Sequence, residues 1–205
     1  MGVERIKSIM NKNVSYDIMK CLVASLEAKD IYTGGHANRV AYMTLDLCKK
    51  LDLPTYQISM IYIAAQLHDI GKIGIADYIL NKKGPLTKNE WDKIKSHPEI
   101  GYSILTRSNK LKDVAKLVLY HHERWDGKGY PYGLKGKQIP LGSRIIAICD
   151  TIDAMTSDRS YRSKFTFNEC YDEIIRNRGT QFDPFLVDSI GDLWVKWEEY
   201  LSGPD

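Results

Sequence analysis

An adjacent His68-Asp69 pair, with Lys72 three residues beyond the aspartate, closes a stretch in which Ile58, Ile61, Tyr62 and Ala65 recur at helical spacing. Residues three and four apart share a helix face, so His68, Asp69 and Lys72 are expected on one buried turn, facing one space. A buried imidazole is ordinarily a hydrogen-bonded core residue. Beside a carboxylate it also becomes part of a nitrogen and oxygen ligand set suited to iron, manganese or zinc. The other histidines decide between these readings. All five in the chain, His36, His68, His97, His121 and His122, fall at expected helix ends or junctions, where side chains from different helices converge. With Asp69 and Asp150 they supply enough donors for two divalent ions. Five separately satisfied histidines make the poorer account. A pair of ions about 3.5 to 4 Å apart can hold a bridging water, lower its pKa and offset charge as it attacks phosphorus in line.

Helices must bring these residues together, and the sequence shows where they start and stop. Val14, Ile18, Cys21, Leu22, Ser25 and Leu26 form a first apolar stripe. The turn Tyr32-Thr33-Gly34-Gly35-His36 opens a second helix, whose stripe Val40, Met43, Leu47 and Leu51 ends before Pro54. After a loop at 81–85, Thr87 and Glu90 make a capping box for a short helix through Trp91 and Ile94. That helix should break at Ser96, because Pro98 disfavours helical geometry before it and suits the first turn of a new helix, placing His97 at the junction. Leu111, Val114, Ala115, Leu117 and Val118 then lead into His121-His122-Glu123, with Lys110, Lys112 and Lys116 outside.

Between Gly127 and Gly142 a Gly- and Pro-rich loop carries Lys128, Lys135 and Lys137, and both a functional loop and a solvated surface fit that composition. The run Ile145 to Cys149 is a central buried helix ending in Asp150 and Asp153. A second capping box, Thr166 and Glu169, opens the next helix. Asp183-Pro184 starts a last one along Leu186, Ile190, Leu193, Trp194, Trp197 and Leu201, its tryptophans serving core or dimer contact. No alternating strand appears, so the fold expected is all-α, with about seven to nine helices.

The 205 residues, 43% hydrophobic and 27% charged, describe one globular domain over 14–205, with 1–13 an N-terminal segment or linker remnant. A net charge of +3 gives no argument for DNA, although it suits an anionic ligand. Cys21, Cys48, Cys149 and Cys170 are widely spaced within apolar patterns and read as reduced core thiols of a cytoplasmic protein. No apolar run is long enough for a membrane segment.

From about Tyr32 to Pro184 the chain resembles the HD-GYP domains, the branch of the HD phosphohydrolase superfamily associated with cyclic di-GMP hydrolysis. The motifs are TGGHANRV at 33–40, LHDIGKIGI at 67–75, KSHPEIG at 95–101, HHERWDGKGYP at 121–131 and RIIAICDTIDAMTSDRSYR at 144–162. The resemblance implies an HD-domain helical bundle with a long GYP loop. It further implies that His36, His68, Asp69 and Asp150 hold one metal, that Asp69 bridges to a second held by His97, His121 and His122, and that both are iron or manganese. Lys72 would sit beside the reacting phosphate, and Lys72 and Asp69 would be the catalytic pair. Asp153, Arg159, Arg162, Gly129, Tyr130 and Pro131 would join Lys72 in contacting substrate. Gly71 admits two readings, close approach of backbone to the metals or packing against a neighbouring helix.

Two positions depart from the pattern. Tyr32 stands where some members carry a glutamate that supports a third metal, so two ions are expected. Asp30, two residues earlier, is expected to point elsewhere. The usual DRPYR is Asp158-Arg159-Ser160-Tyr161-Arg162, which keeps both arginines. The function implied is hydrolysis of cyclic di-GMP to linear pGpG and onward to GMP, with a metal-bridging hydroxide as nucleophile. A diguanylate cyclase partner at the GYP loop and a homodimer belong to the same expectation. The rival from another class is a non-catalytic module that binds cyclic di-GMP or a diguanylate cyclase. The intact ligand set and Lys72 argue against it. A hydrolase of other nucleotides fits the superfamily but not the GYP loop.

Overall fold

The computed structural model describes residues 17–30, 35–157 and 165–202. Helix α1 occupies 17–29. It is followed by α2 (His36–Lys50), α3 (Thr55–Leu67), a 3-10 turn (Ile70–Gly74), α4 (Asp77–Leu80), α5 (Lys88–Ile94) and α6 (His97–Leu105). Then come α7 (Lys112–Leu119), α8 (Leu141–Thr156), α9 (Phe167–Arg176), α10 (Pro184–Ile190) and α11 (Leu193–Ser202). Among the described residues there is no strand beyond one isolated bridge between Arg178 and Phe182. Short pieces such as the four-residue α4 account for the helices beyond the expected number.

Helix α2 lies between α3 and α8, α3 also packs on α7, and α6 covers both α7 and the 3-10 turn. Val40, Met43 and Leu47 of α2 meet Ala64 and Ala65 of α3 and Ile145, Ile148 and Ile152 of α8 in one fully buried cluster. This apolar centre, removed from water, holds the helix ends at fixed distances. Both expected capping boxes are present: Thr87 and Glu90 start α5, and Thr166 and Glu169 start α9. Pro98 stands in the first turn of α6, as its fixed φ favours.

Three expectations are corrected. The helix through Ile58 and Ala65 stops at Leu67, so His68, Asp69 and Lys72 do not share an α-helical turn. The backbone tightens there, with the Lys72 N–H donating to the Asp69 carbonyl at 2.8 Å. Gly71 lets this turn lie against α6, since a Cβ there would lie 1.8 Å from the His97 carbonyl oxygen. Backbone touches backbone at that point, and this decides for packing between the two readings of Gly71.

The expected last helix is two, because Gly191 takes φ 49° and ψ −121° and ends α10. Lys50 donates to the freed Ile190 carbonyl. Cys21 is exposed, whereas Cys48, Cys149 and Cys170 are buried as expected. Trp197 is fully buried and donates its indole N–H to Asp46, a core role, and Trp194 stands edge-on to Phe167. Among the described residues no helix is long and apolar enough to cross a membrane.

Candidate metal centre

Five helix ends and one turn deliver the chemistry. His36 is the first residue of α2, His68 caps the C-terminus of α3, His97 begins α6, and His121 and His122 follow α7. Asp150 comes from the last turns of α8, and Asp69 from the turn after α3. The ligand-type atoms fall into two groups, one of His36, His68 and Asp69 and one of His97, His121 and His122. In the first, the His36 and His68 Nε2 atoms are 3.2 Å apart. Asp150 Oδ1 lies 3.3 Å from His36 Nε2 and 3.8 Å from His68 Nε2. In the second, His97 Nε2 and His121 Nε2 are 3.3 Å apart. Asp69 stands between the groups, with Oδ2 3.5 Å from His68 Nε2 and Oδ1 3.3 Å from His97 Nε2.

The imidazoles are oriented from behind. His68, His97 and His121 place Nδ1 at 2.7, 2.8 and 2.6 Å from the carbonyl oxygens of Ala65, Ile94 and Val118. A carbonyl only accepts, so each Nδ1 carries the hydrogen and each Nε2 turns a bare lone pair inward. His36 Nδ1 meets Asp153 Oδ2 at 2.6 Å. Lone pairs facing each other at such distances repel unless a cation lies among them, so this donor set fits divalent metal ions.

The electrostatics differ between the groups. Burial depresses the pKa values of His97, His121 and His122, the last to about 3, so these rings are neutral at ordinary pH. At His36 burial acts in the same direction but is outweighed by Asp150 and Asp153, which raise it to about 10 in the metal-free chain. Burial opposes ionisation of Asp69, yet Lys72 and then His68, His97 and His36 hold its carboxyl well below the usual range. Lys72, 2.7 Å from Asp69 Oδ2 and 3.1 Å from Asp30 Oδ2, keeps its proton despite burial.

A cavity of about 660 Å³ opens over the cluster, reached by Asp30, Lys72, His122, Tyr130 and Asp150. Tyr130 stacks on His122 with ring centroids 4.8 Å apart. Gly129 is required for packing: a Cβ there would lie 2.3 Å from the Arg124 nitrogen. Pro131 follows Tyr130 through a cis peptide bond. Asp153 is placed behind His36, its carboxylate held by His36 and by Arg39 Nε at 2.6 Å, and it lines the same cavity. Tyr32, Arg159 and Arg162 lie outside the described residues.

Two contributors, Arg39 and Glu123, were given no role from the sequence, and a third, Asp30, was placed wrongly. Arg39 follows His36 by three residues on α2, and that spacing was the available signal. Asp30, expected to point elsewhere, is buried and paired with Lys72, joining the end of α1 to the site. Buried Glu123 accepts from the backbone N–H groups of Tyr132 and Leu134, which fixes the GYP loop.

The chain is similar to proteins of known family and structure. The family model described as HD domain matches residues 20–186. A cyclic di-GMP phosphodiesterase of Thermotoga maritima is 39% identical over 85% of this chain and 48% of its own length. The 3'3'-cGAMP-specific phosphodiesterase 2 of Vibrio cholerae is 38% identical over 93% of this chain and 36% of its own. The chain therefore spans half or less of these curated relatives. A solved structure of a V. cholerae cyclic GMP-AMP-specific phosphodiesterase covers 92% of this chain and 51% of that one, with TM-score 0.70 and 20% identity. The HD domain of the L. monocytogenes phosphodiesterase PgpH, in complex with cyclic-di-AMP, covers 90% of this chain and 98% of that one, with TM-score 0.67 and 20% identity.

Proposed function

This chain belongs to the HD domain family, and from that premise we propose that it is a metal-dependent cyclic-dinucleotide phosphodiesterase acting on cyclic di-GMP. The observation that carries the reading is Asp69, which aims one carboxylate oxygen at each imidazole group while Lys72 stands beside it over an open cavity. His36, His68, Asp69 and Asp150 would hold one ion, and Asp69, His97, His121 and His122 the other. Iron or manganese suits these donors. Held by these residues, such ions would supply activation of water and charge neutralisation at a phosphodiester.

The chain's own groups do the rest. Their Nδ1 partners keep the Nε2 lone pairs of His68, His97 and His121 turned into the cluster, where they would serve as ligands. Lys72, held protonated by Asp69 and Asp30, presents positive charge to a non-bridging phosphate oxygen. Water adds across the P–O bond, leaving a phosphate monoester on one nucleotide and a hydroxyl on the other, so cyclic di-GMP opens to pGpG. A second cleavage gives GMP. Arg159 and Arg162 would contact the nucleotide, Arg being suited to two-pronged contact with phosphate or a guanine edge. A diguanylate cyclase partner would meet the outer edge of the GYP loop, where Tyr132 is exposed.

The test is anaerobic purification, metal analysis and chromatography of products from cyclic di-GMP, cyclic GMP-AMP and cyclic di-AMP. Two ions per chain with pGpG from cyclic di-GMP are expected. Tight binding of cyclic di-GMP without turnover by fully loaded protein would replace this reading with the non-catalytic module.

A further inference from the structure

We propose that Trp91, with Leu80, Pro85 and Leu86, forms a stacking subsite for one nucleobase of the substrate, an inference that rests on the cyclic-dinucleotide reading above. The cavity over the metal centre has two unlike parts. Its floor is polar, with His36, Asp69, Lys72, His97 and His122. One wall, drawn from α4, the loop after it and α5, presents Leu80, Pro85, Leu86 and Trp91. Nothing in phosphodiester hydrolysis calls for an apolar wall beside a charged floor. A nucleotide does, because each phosphate it brings to the floor carries a flat, weakly hydrated base nearby.

Trp91 is the prominent feature of that wall. The residue is 47% exposed although it lines a cavity, and among the described residues it makes no ring contact. The first turn of the helix that carries it is pinned by side-chain bonds. The capping box of Thr87 and Glu90 fixes the first turn of α5, and Lys82 clamps Glu90 with bonds of 2.9 and 2.6 Å. The Trp91 backbone N–H donates to the Thr87 carbonyl at 2.9 Å. With the backbone at Trp91 fixed, only the two side-chain torsions of the indole remain to be ordered when a base stacks on it, which limits the entropy cost of binding. Because every base has a π face, the subsite contributes affinity and not a choice between guanine and adenine.

The experiment uses the metal-loaded chain with Trp91→Ala and Trp91→Phe. For cyclic di-GMP, Trp91→Ala should raise KM by about ten- to a hundredfold, the usual worth of one stacked base. The kcat should stay within about twofold, since the chemistry at the floor is untouched. Trp91→Phe should keep most of the affinity, and metal content should be unchanged in both. A phosphorothioate analogue of cyclic di-GMP should quench indole emission in the parent and not in Trp91→Phe, a readout that survives if the alanine variant fails to fold. Turnover with unaltered KM in Trp91→Ala, or quenching that persists in Trp91→Phe, overturns the subsite and leaves the phosphodiesterase reading standing. Quenching of Trp91 without turnover by the parent supports the subsite and overturns the enzyme.

Discussion

Asp69 turns one carboxylate oxygen toward His68 and the other toward His97, so its loss removes an anionic donor from both imidazole groups at once. Asp69→Ala is therefore expected to abolish turnover and to deplete both ions together, read by plasma mass spectrometry of the purified variant. Normal metal content would rule out a bridging role. His36 separates the groups by pH. Its pKa of about 10 in the metal-free chain means that it carries a proton near neutrality, whereas burial keeps His97, His121 and His122 neutral. An ion entering beside His36 must expel that proton, so affinity there should climb about tenfold per pH unit between roughly 7 and 10. Affinity at the other group should stay flat over that range. The raised His36 value also stabilises the metal-free fold. That contribution is complete below the unfolded value near 6.5 and is lost as pH rises through about 10. Calorimetry in buffers of different ionisation enthalpy measures the proton; release of none at pH 8 would contradict the assignment.

At the scale of elements, the site depends on close approach between the 3-10 turn and α6. A Cβ on Gly71 would meet the His97 carbonyl oxygen at 1.8 Å and the Gly101 nitrogen at 2.6 Å, and neither backbone atom can rotate away. Gly71→Ala should push α6 outward with His97 on it, costing about 1–3 kcal/mol or more in denaturant unfolding and weakening metal at the His97 group. Unchanged stability would show that the turn yields without cost. The GYP loop depends on Glu123, whose two oxygens accept from Tyr132 and Leu134. Glu123→Gln replaces one acceptor by a donor facing a donor. A loss of about 1–3 kcal/mol and faster amide exchange over 127–138 are expected, and exchange at the parent rate would remove Glu123 from this role.

For the whole molecule, ions held as proposed would act as staples among α2, α3, α6, α7 and α8, whose ends crowd lone pairs and carboxylates in a buried space. At about a hundredfold excess over Kd, each ion should add about 2.7 kcal/mol to the folded state. For a chain of 205 residues that corresponds to a rise in Tm of roughly 5 to 11 °C per ion. Scanning calorimetry with and without a chelator reads it directly. A melting temperature indifferent to chelation would mean that these helix ends are held without metal.

The sequence by itself determined where most helices begin, though not that α3 stops at Leu67 or that Gly191 splits the last helix, because capping boxes, Pro98 and apolar periodicity act among residues within about four positions of one another. That is why His36, His68, His97, His121 and His122 could be placed at helix ends, and why their convergence with Asp69 and Asp150 followed. What only the tertiary structure decided lies between elements distant in the chain. Asp30 reaches Lys72 because α1 ends beside the 3-10 turn. Asp153 steadies His36 because α8 crosses α2 at that level. Gly71 is a packing residue because α6 lies against it. Spacing fixes which face a side chain occupies on its own helix, but its partner depends on how the helices cross, and that is settled by burial summed over the whole core.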